Sequence, residues 1–263
     1  MMAAEHEQPA ALLAAWREDE QQHHEGWDFS HFAGRLTEED PPWNFEEECR
    51  VWLARSRHVL DMGTGGGELL SALSGALPKD TVATEGWAPN LPVARARLAR
   101  LSIPVVEYDP EAEPPMMMPF GDSRFDLVMN RHEGLDPRDL FRILAVNGVF
   151  LTQQVAVDDC RESQQIFGMV PRYPDVTLEV VARRLTCAGF KIEASEEWRG
   201  TYRFRDVGAL VGYFKLVPWE VPEDFCVDKY AETLLRLHAG GPAQGQPVSF
   251  TKSRFWLRAS KPA

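Results

Sequence analysis

The chain has 263 residues and a formal net charge of −12, from 40 acidic and 28 basic residues. That length suffices for one large α/β domain, or one domain plus a cap, with a substantial buried core. A field of this sign repels a phosphate backbone, so no nucleic-acid partner is expected. Nor does the sequence contain the run of about 20 apolar residues needed to cross a bilayer. Most of the negative charge lies early: residues 1–50 hold thirteen Asp and Glu against three Arg. Met1 to Gln8 are polar and acidic, unlike a signal peptide. The four cysteines, Cys49, Cys160, Cys187 and Cys226, are far apart and lack zinc spacing, so no metal site is expected. They read as free thiols of a cytoplasmic protein.

Ala10 to Glu20 has helix-forming composition. Asp40-Pro41-Pro42-Trp43 breaks it, and Asn44 then reads as an N-cap with Glu47 three residues on. The helix it opens, Phe45 to Ala54, repeats apolar residues at Phe45, Cys49 and Trp52/Leu53. From residue 58 strand and helix patterns alternate, which predicts a doubly wound, mostly parallel sheet with helices on both faces. Seven strands are expected, at 57–61, 81–85, 104–108, 125–130, 148–155, 190–197 and 248–259. Helices are expected near 67–77, 90–101, 137–145 and 175–188. A long insertion, 199–247, carries expected helices at 206–216 and 226–238 and a Gly/Pro-rich linker, Gly240 to Gln246, expected to be flexible. The organisation predicted is a helical N-terminal segment, 1–57, a core, 58–198, a helical insertion, 199–247, and a last strand, 248–263, completing the core.

Between the first strand and its helix lies Asp61-Met62-Gly63-Thr64-Gly65-Gly66-Gly67-Glu68. Glycine lets a ligand lie directly against backbone, and the helix start beyond it offers free N–H groups. A dinucleotide site wants G-x-G-x-x-G, but its last glycine falls at Glu68, whose carboxylate opposes a pyrophosphate. The pattern D-x-G-x-G-x-G is met in full by Asp61, Gly63, Gly65 and Gly67. Glu85 ends the second strand about 20 residues later, where a carboxylate can accept from both ribose hydroxyls. That acid serves a dinucleotide equally well, so it indicates a nucleoside without choosing between cofactors.

These motifs and the strand count resemble the class I, Rossmann-like S-adenosylmethionine-dependent methyltransferases, of the type-11 (UbiE-like) branch. The resemblance covers about residues 55–200 and the final strand, which in that family is antiparallel. It implies that Asp61, Met62, Gly63, Thr64, Gly65 and Gly67 hold the methionine part of S-adenosylmethionine, and that Glu85 holds the ribose. Gly86 and Trp87 follow, with Trp87 either walling the adenine or packing on the sheet. Asp109 ends the third strand where the family often places an acid for the adenine amino group; Pro110 after it lacks the usual N–H. Met118-Pro119-Phe120 resembles the L-P-F segment before the fourth strand. That strand runs into Asn130, Arg131 and His132; the first two are expected to touch cofactor, Asn130 mainly through backbone. Asn130 does not begin an N-P-P-Y motif, which weighs against DNA and glutamine substrates.

His132 is the histidine near a strand end of the expected cleft, and its chemistry suits a general base. Gln153 and Gln154 end the fifth strand, either facing substrate or as buried amides. Tyr202 to Asp206 alternate aromatic and polar residues and read as a solvated strand edge, although an arginine there can clamp an acid. Trp219 and Phe225 read as the insertion's own core. The expected activity is methyl transfer to an oxygen or nitrogen of a small molecule, leaving S-adenosylhomocysteine, with the acceptor held by the N-terminal helices and 199–247. Three alternatives stay open: an RNA or protein methyltransferase, an S-adenosylmethionine-binding protein without transferase activity, and a nicotinamide oxidoreductase, which Glu68 disfavours. Oligomeric state is not legible.

Overall fold

The computed structural model describes residues 9–22, 29–112 and 116–263. The reading of Met1 to Gln8 therefore lies outside the described residues. The chain forms two compact units. One comprises residues 41–156, 175–198 and 254–263; the other comprises 1–40, 157–174 and 199–253.

The first of these carries the sheet. Its elements are α2 (Phe45–Leu53), β2 (His58–Met62), α3 (Glu68–Ala72), β3 (Asp80–Glu85), α4 (Asn90–Leu98), β4 (Val105–Glu107), β5 (Phe125–Arg131), α5 (Pro137–Ile143), β6 (Leu144–Val155) and α7 (Leu178–Cys187). It also takes the first part of β7 (Lys191–Phe204) and the last part of β8 (Val248–Ser260). The sheet has eight strands rather than the seven expected, because β1 (Leu36–Glu38) adds at the β7 edge, and the order is β1-β7-β8-β6-β5-β2-β3-β4. The pairs β4–β3, β3–β2, β2–β5 and β5–β6 are parallel, whereas β8 runs antiparallel to β6, with Val149 opposite Ser260 and Val155 opposite Arg254. The seven expected strands are therefore all present, and the last is antiparallel. Two apolar clusters cover the sheet, one around Leu60, Phe125, Val128 and Phe150, the other around Val59, Leu70, Leu127 and Leu151. This explains why the strands read as near-continuous apolar runs: parallel strands are buried on both faces.

The other unit holds α1 (Pro9–Gln21), β1 (Leu36–Glu38), α6 (Arg161–Phe167), the remainder of β7 and β8, α8 (Val207–Leu216) and α9 (Ala231–Gly240). β1 pairs antiparallel with β7, Leu36 opposite Phe204. α8 is apolar almost all round and accordingly buried along nearly its whole length. Its core gathers Tyr202, Phe204, Tyr213, Phe214, Phe225 and Phe250, with Trp219 packed against them.

Several elements differ from expectation for local reasons. α3 ends at Ala72, well before residue 77, because Ser74 and Gly75 support turns rather than helix. α5 stops at Ile143, and Leu144 already pairs with Phe125; the strand continues through an irregularity at Asn147, whose φ is +61. α7 starts at Leu178 because the Thr177 hydroxyl caps it, accepting from Val180 N at 3.2 Å. α9 begins at Ala231, five residues late. Asn44 caps α2 as expected, accepting from Glu47 N. β1 and α6 were not legible beforehand. Gly240 to Gln246 is a hydrogen-bonded turn that includes a 3-10 stretch, Pro242–Gln244, with Gln246 N donating to Gly241 O.

The solvated edge expected at Tyr202 to Asp206 is also corrected. Tyr202 and Phe204 are core residues, and Arg203 pairs with Glu39 at 2.6 Å. Asp206 caps α8, accepting from Ala209 N at 2.9 Å, and receives Arg35 at 2.6 and 3.0 Å. Arg35 also grips Asp19 at 2.7 and 2.8 Å. Burial acts to raise the Asp206 carboxyl, but Arg35 and the capped N–H outweigh it and hold it below the usual range. Its stabilisation is thus present above the unfolded pKa of about 3.9 and is lost as pH falls through its lower folded value. Asp206→Ala, which loses both cap and ion pair, is expected to cost about 1–2 kcal/mol in urea unfolding at pH 7. Asp206→Asn keeps the cap and costs less, and its deficit shrinks as pH falls through the lowered folded value of the Asp206 carboxyl, whereas that of Asp206→Ala persists in part.

Candidate functional site

β2 delivers Asp61 and Met62, both buried, to its carboxyl end. The chain then turns through Gly63, Gly65 and Gly67, whose φ angles are +68, +63 and +86. Strand β3 holds this loop from the side. Thr64 N donates to Thr84 O at 2.8 Å, and Gly63 N to Thr84 Oγ1 at 3.2 Å. Gly65 N donates to Glu85 Oε2 at 2.6 Å. Within the loop the Thr64 hydroxyl donates to Asp61 Oδ2 at 2.7 Å. At Gly63 both conformation and space require glycine, because a Cβ there would run into the Glu133 side chain.

Glu85 closes β3 and is 3% exposed. Its oxygens divide their work: Oε2 takes Gly65 N, and Oε1 takes Trp87 N at 2.8 Å. One carboxylate thereby ties the glycine loop to the turn after β3. Gly86 lets that turn approach β4, since a Cβ would fall 2.6 Å from Tyr108 O. A carboxylate has about four acceptor positions, so Glu85 keeps capacity for two further donors.

A third acid joins these two. Glu133 follows β5 and reaches over Gly63, with Oε1 accepting from Gly134 N at 2.9 Å. Burial pushes Asp61 up to about 7, opposed by the Thr64 hydroxyl and Arg131 and reinforced by Glu85 and Glu68. Burial and then Glu85 push Glu133 up to about 7. Glu85 is raised chiefly by burial, against the backbone donors of Trp87, Gly65 and Gly86. Among the described residues none of the three forms an ion pair with a lysine or arginine. The loop thus presents backbone N–H groups beside two buried carboxylates, Asp61 and Glu85, and the partly buried Glu133.

The remaining expected residues are placed as follows. Glu68 is half-exposed and paired with Arg97, so its charge is answered locally. The chemistry that opposes a pyrophosphate resides instead in Asp61, Glu85 and Glu133. Trp87 is 50% exposed. Asp109 is exposed, accepts from Glu111 N at 2.8 Å, and lies outside the hydrogen-bonded network of the loop. Asn130 is fully buried; its Oδ1 accepts from Thr152 Oγ1 at 2.9 Å and Gln154 Nε2 at 2.7 Å, and its Nδ2 donates to Glu133 O at 3.2 Å. Its side chain therefore builds the turn that carries Glu133. Arg131 and His132 are exposed, and His132 has a φ of +64. Gln153 and Gln154 are both buried amides.

Sequence reasoning gave no role to Glu133, Thr84 or Trp43. An acid within three residues of a strand end in a parallel sheet was a usable signal for Glu133. Thr84 and Trp43 act through neighbours distant in sequence and left no local mark.

A carboxyl whose folded pKa exceeds its unfolded value stabilises fully below the unfolded value, and that contribution is lost as pH rises through the folded one. For Asp61 the window runs from about 4 to about 7. Asp61→Asn is therefore expected to leave ligand-free stability nearly unchanged near pH 4 and to raise it by up to about 4 kcal/mol at pH 8. Denaturant unfolding at both pH values measures this; equal effects at the two would contradict an unpaired buried charge.

Residues 60–151 match the family model described as "Methyltransferase domain". No curated protein matches the chain. Among solved structures, the fold resembles a candidate methyltransferase from Bacillus halodurans C-125, with TM-score 0.55 and 20% identity over 82% of this chain and 98% of that one. It resembles the YcgJ protein of Bacillus subtilis, with TM-score 0.57 and 15% identity over 83% and 98%. It also resembles the cyclase SpnF, with TM-score 0.50 and 14% identity over 97% and 92%. At these identities the likenesses concern the fold alone.

Proposed function

We propose that this chain, whose residues 60–151 match a methyltransferase-domain model, is an S-adenosylmethionine-dependent methyltransferase that transfers the methyl group to an oxygen or nitrogen of a small molecule. The observation that carries the cofactor choice is the carboxylate cluster. Asp61 and Glu85 are buried and Glu133 partly buried, none of the three is ion-paired to a lysine or arginine among the described residues, and the donors beside them are loop N–H groups. An ammonium, a sulfonium and a ribose diol supply what these groups lack. A pyrophosphate adds two negative charges where three are already costly.

In this proposal Asp61, Met62, Gly63, Thr64, Gly65 and Gly67 receive the amino-acid part of the cofactor. Glu85 uses its spare acceptor positions for the two ribose hydroxyls. Gly86, Trp87 and Asp109 border the adenine, and Asn130 and Arg131 contribute backbone at the end of β5. The sulfonium, when bound, supplies an already activated methyl group. The protein's task is alignment of the acceptor atom with that group, together with exclusion of water. His132 takes a proton from acceptors that must lose one. Residues 1–40 and 199–247, outside the matched segment, are proposed to hold the residues that recognise the acceptor. Their acidity and aromatic content favour a small molecule over RNA.

Calorimetry with S-adenosylhomocysteine is expected to give a saturable signal, and NAD none. Glu85→Ala is expected to weaken binding at least tenfold, since a hydrogen bond to a charged group contributes about 1.5–3 kcal/mol. Absence of any signal at high excess of S-adenosylmethionine would sink the assignment. Release of S-adenosylhomocysteine over a panel of acceptors then separates transfer from binding alone, and salt-sensitive RNA binding would favour a nucleic-acid substrate. His132→Ala leaving turnover unchanged would remove the base role.

A further inference from the structure

Trp43, Gln153 and His132 form a chain of hydrogen bonds at the end of β6 that the proposed function does not by itself require. The indole Nε1–H of Trp43 donates to Gln153 Oε1 at 2.7 Å. An indole nitrogen only donates, so this contact decides which way the amide faces. The amide nitrogen is then turned to His132, with Gln153 Nε2 3.2 Å from His132 Nε2. An amide nitrogen also only donates, so the imidazole nitrogen opposite it must accept. The backbone reinforces the pairing: His132 N donates to Gln153 O at 2.9 Å. His132 itself is in the left-handed region, φ +64, where residues other than glycine are uncommon. Gln153 is 7% exposed, which limits the ability of water to replace either bond.

We infer that Trp43 and Gln153 hold neutral His132 as the Nδ1–H tautomer, with its basic Nε2 covered by the Gln153 amide. A proton arriving at Nε2 would set two N–H groups against each other. Turning the amide over to relieve this would set its NH2 group against the Trp43 N–H. Both residues must therefore yield before Nε2 takes a proton. Trp43 and Gln153 are positioning residues that determine which nitrogen of His132 acts and when. The catalytic meaning of this rests on the methyl-transfer proposal, whereas the tautomer itself does not.

The test is ring 15N spectroscopy of the ligand-free, full-length chain with labelled histidine at pH 8, the His132 signals being identified by their loss in His132→Asn. The expected result is a protonated Nδ1 and an unprotonated Nε2 in the parent. Gln153→Leu removes the covering donor and is expected to shift His132 to mainly Nε2–H, the form imidazole prefers in water. Trp43→Phe leaves Gln153 in place but frees its amide to turn, and is expected to move the ratio in the same direction; it carries the test where Gln153→Leu does not fold. A protonated Nε2 in the parent, or a ratio unmoved in the folded variants, overturns the inference. No ligand is needed, so a failure here leaves the cofactor proposal standing. A failure of S-adenosylhomocysteine to bind would equally leave the tautomer result intact.

Discussion

The candidate site depends on three carboxylates gathered at or just beyond strand ends, none of them ion-paired to a lysine or arginine among the described residues. Asp61, Glu85 and Glu133 converge around one glycine loop, and burial raises all three toward neutrality. A chain selected for stability alone has little reason to keep such a cluster, because removing the charges relieves desolvation and mutual repulsion. In the methyl-transfer proposal a cationic ligand would recover that cost on binding. Glu85 adds a mechanical role: by accepting from Gly65 N and Trp87 N it holds the loop in the shape the ligand would meet.

Topology explains why these acids meet. The chain leaves β2 outward through β3 and β4, then returns to the other side of β2 for β5 and β6. The strand order thus reverses between β2 and β5, and ligands of open α/β sheets bind beyond the carboxyl ends at such a reversal. Met62 lies opposite Asn130 in that pairing. Asp61 and the loop arrive from one side of the reversal, and the turn from Asn130 to Glu133 arrives from the other. The buried amides of Asn130 and Gln154 hold this second turn, so side chains that never meet a ligand still set where Glu133 and His132 stand.

Much of the fold was legible because its signals are local. The alternation of apolar strands with amphipathic helices predicted all seven strands of the sheet-bearing unit, and Asn44 announced the start of α2. Element ends were less legible where capping or turn chemistry competes with periodicity, as at Thr177 and at Ser74-Gly75. The alternating residues 202–206 misled for a different reason. A strand with one aromatic and one charged face looks the same whether the aromatic face meets water or a core, and here α8 and Phe250 cover it.

The sequence by itself determined the glycine loop and the acids at the ends of β2 and β3, because these follow from residue types at fixed spacing along one strand–turn–helix unit. Only the tertiary structure decided that Glu133 completes the cluster, that Glu68 is neutralised by Arg97, and that Gln153 and Trp43 govern His132. Each of those facts is a contact between residues at least 20 apart in sequence, the reach of Glu133 back over Gly63 spanning 70. Hydrogen-bond donors and charges at such separations carry no periodic signature. Their partners are assigned only when the sheet brings the strand ends together.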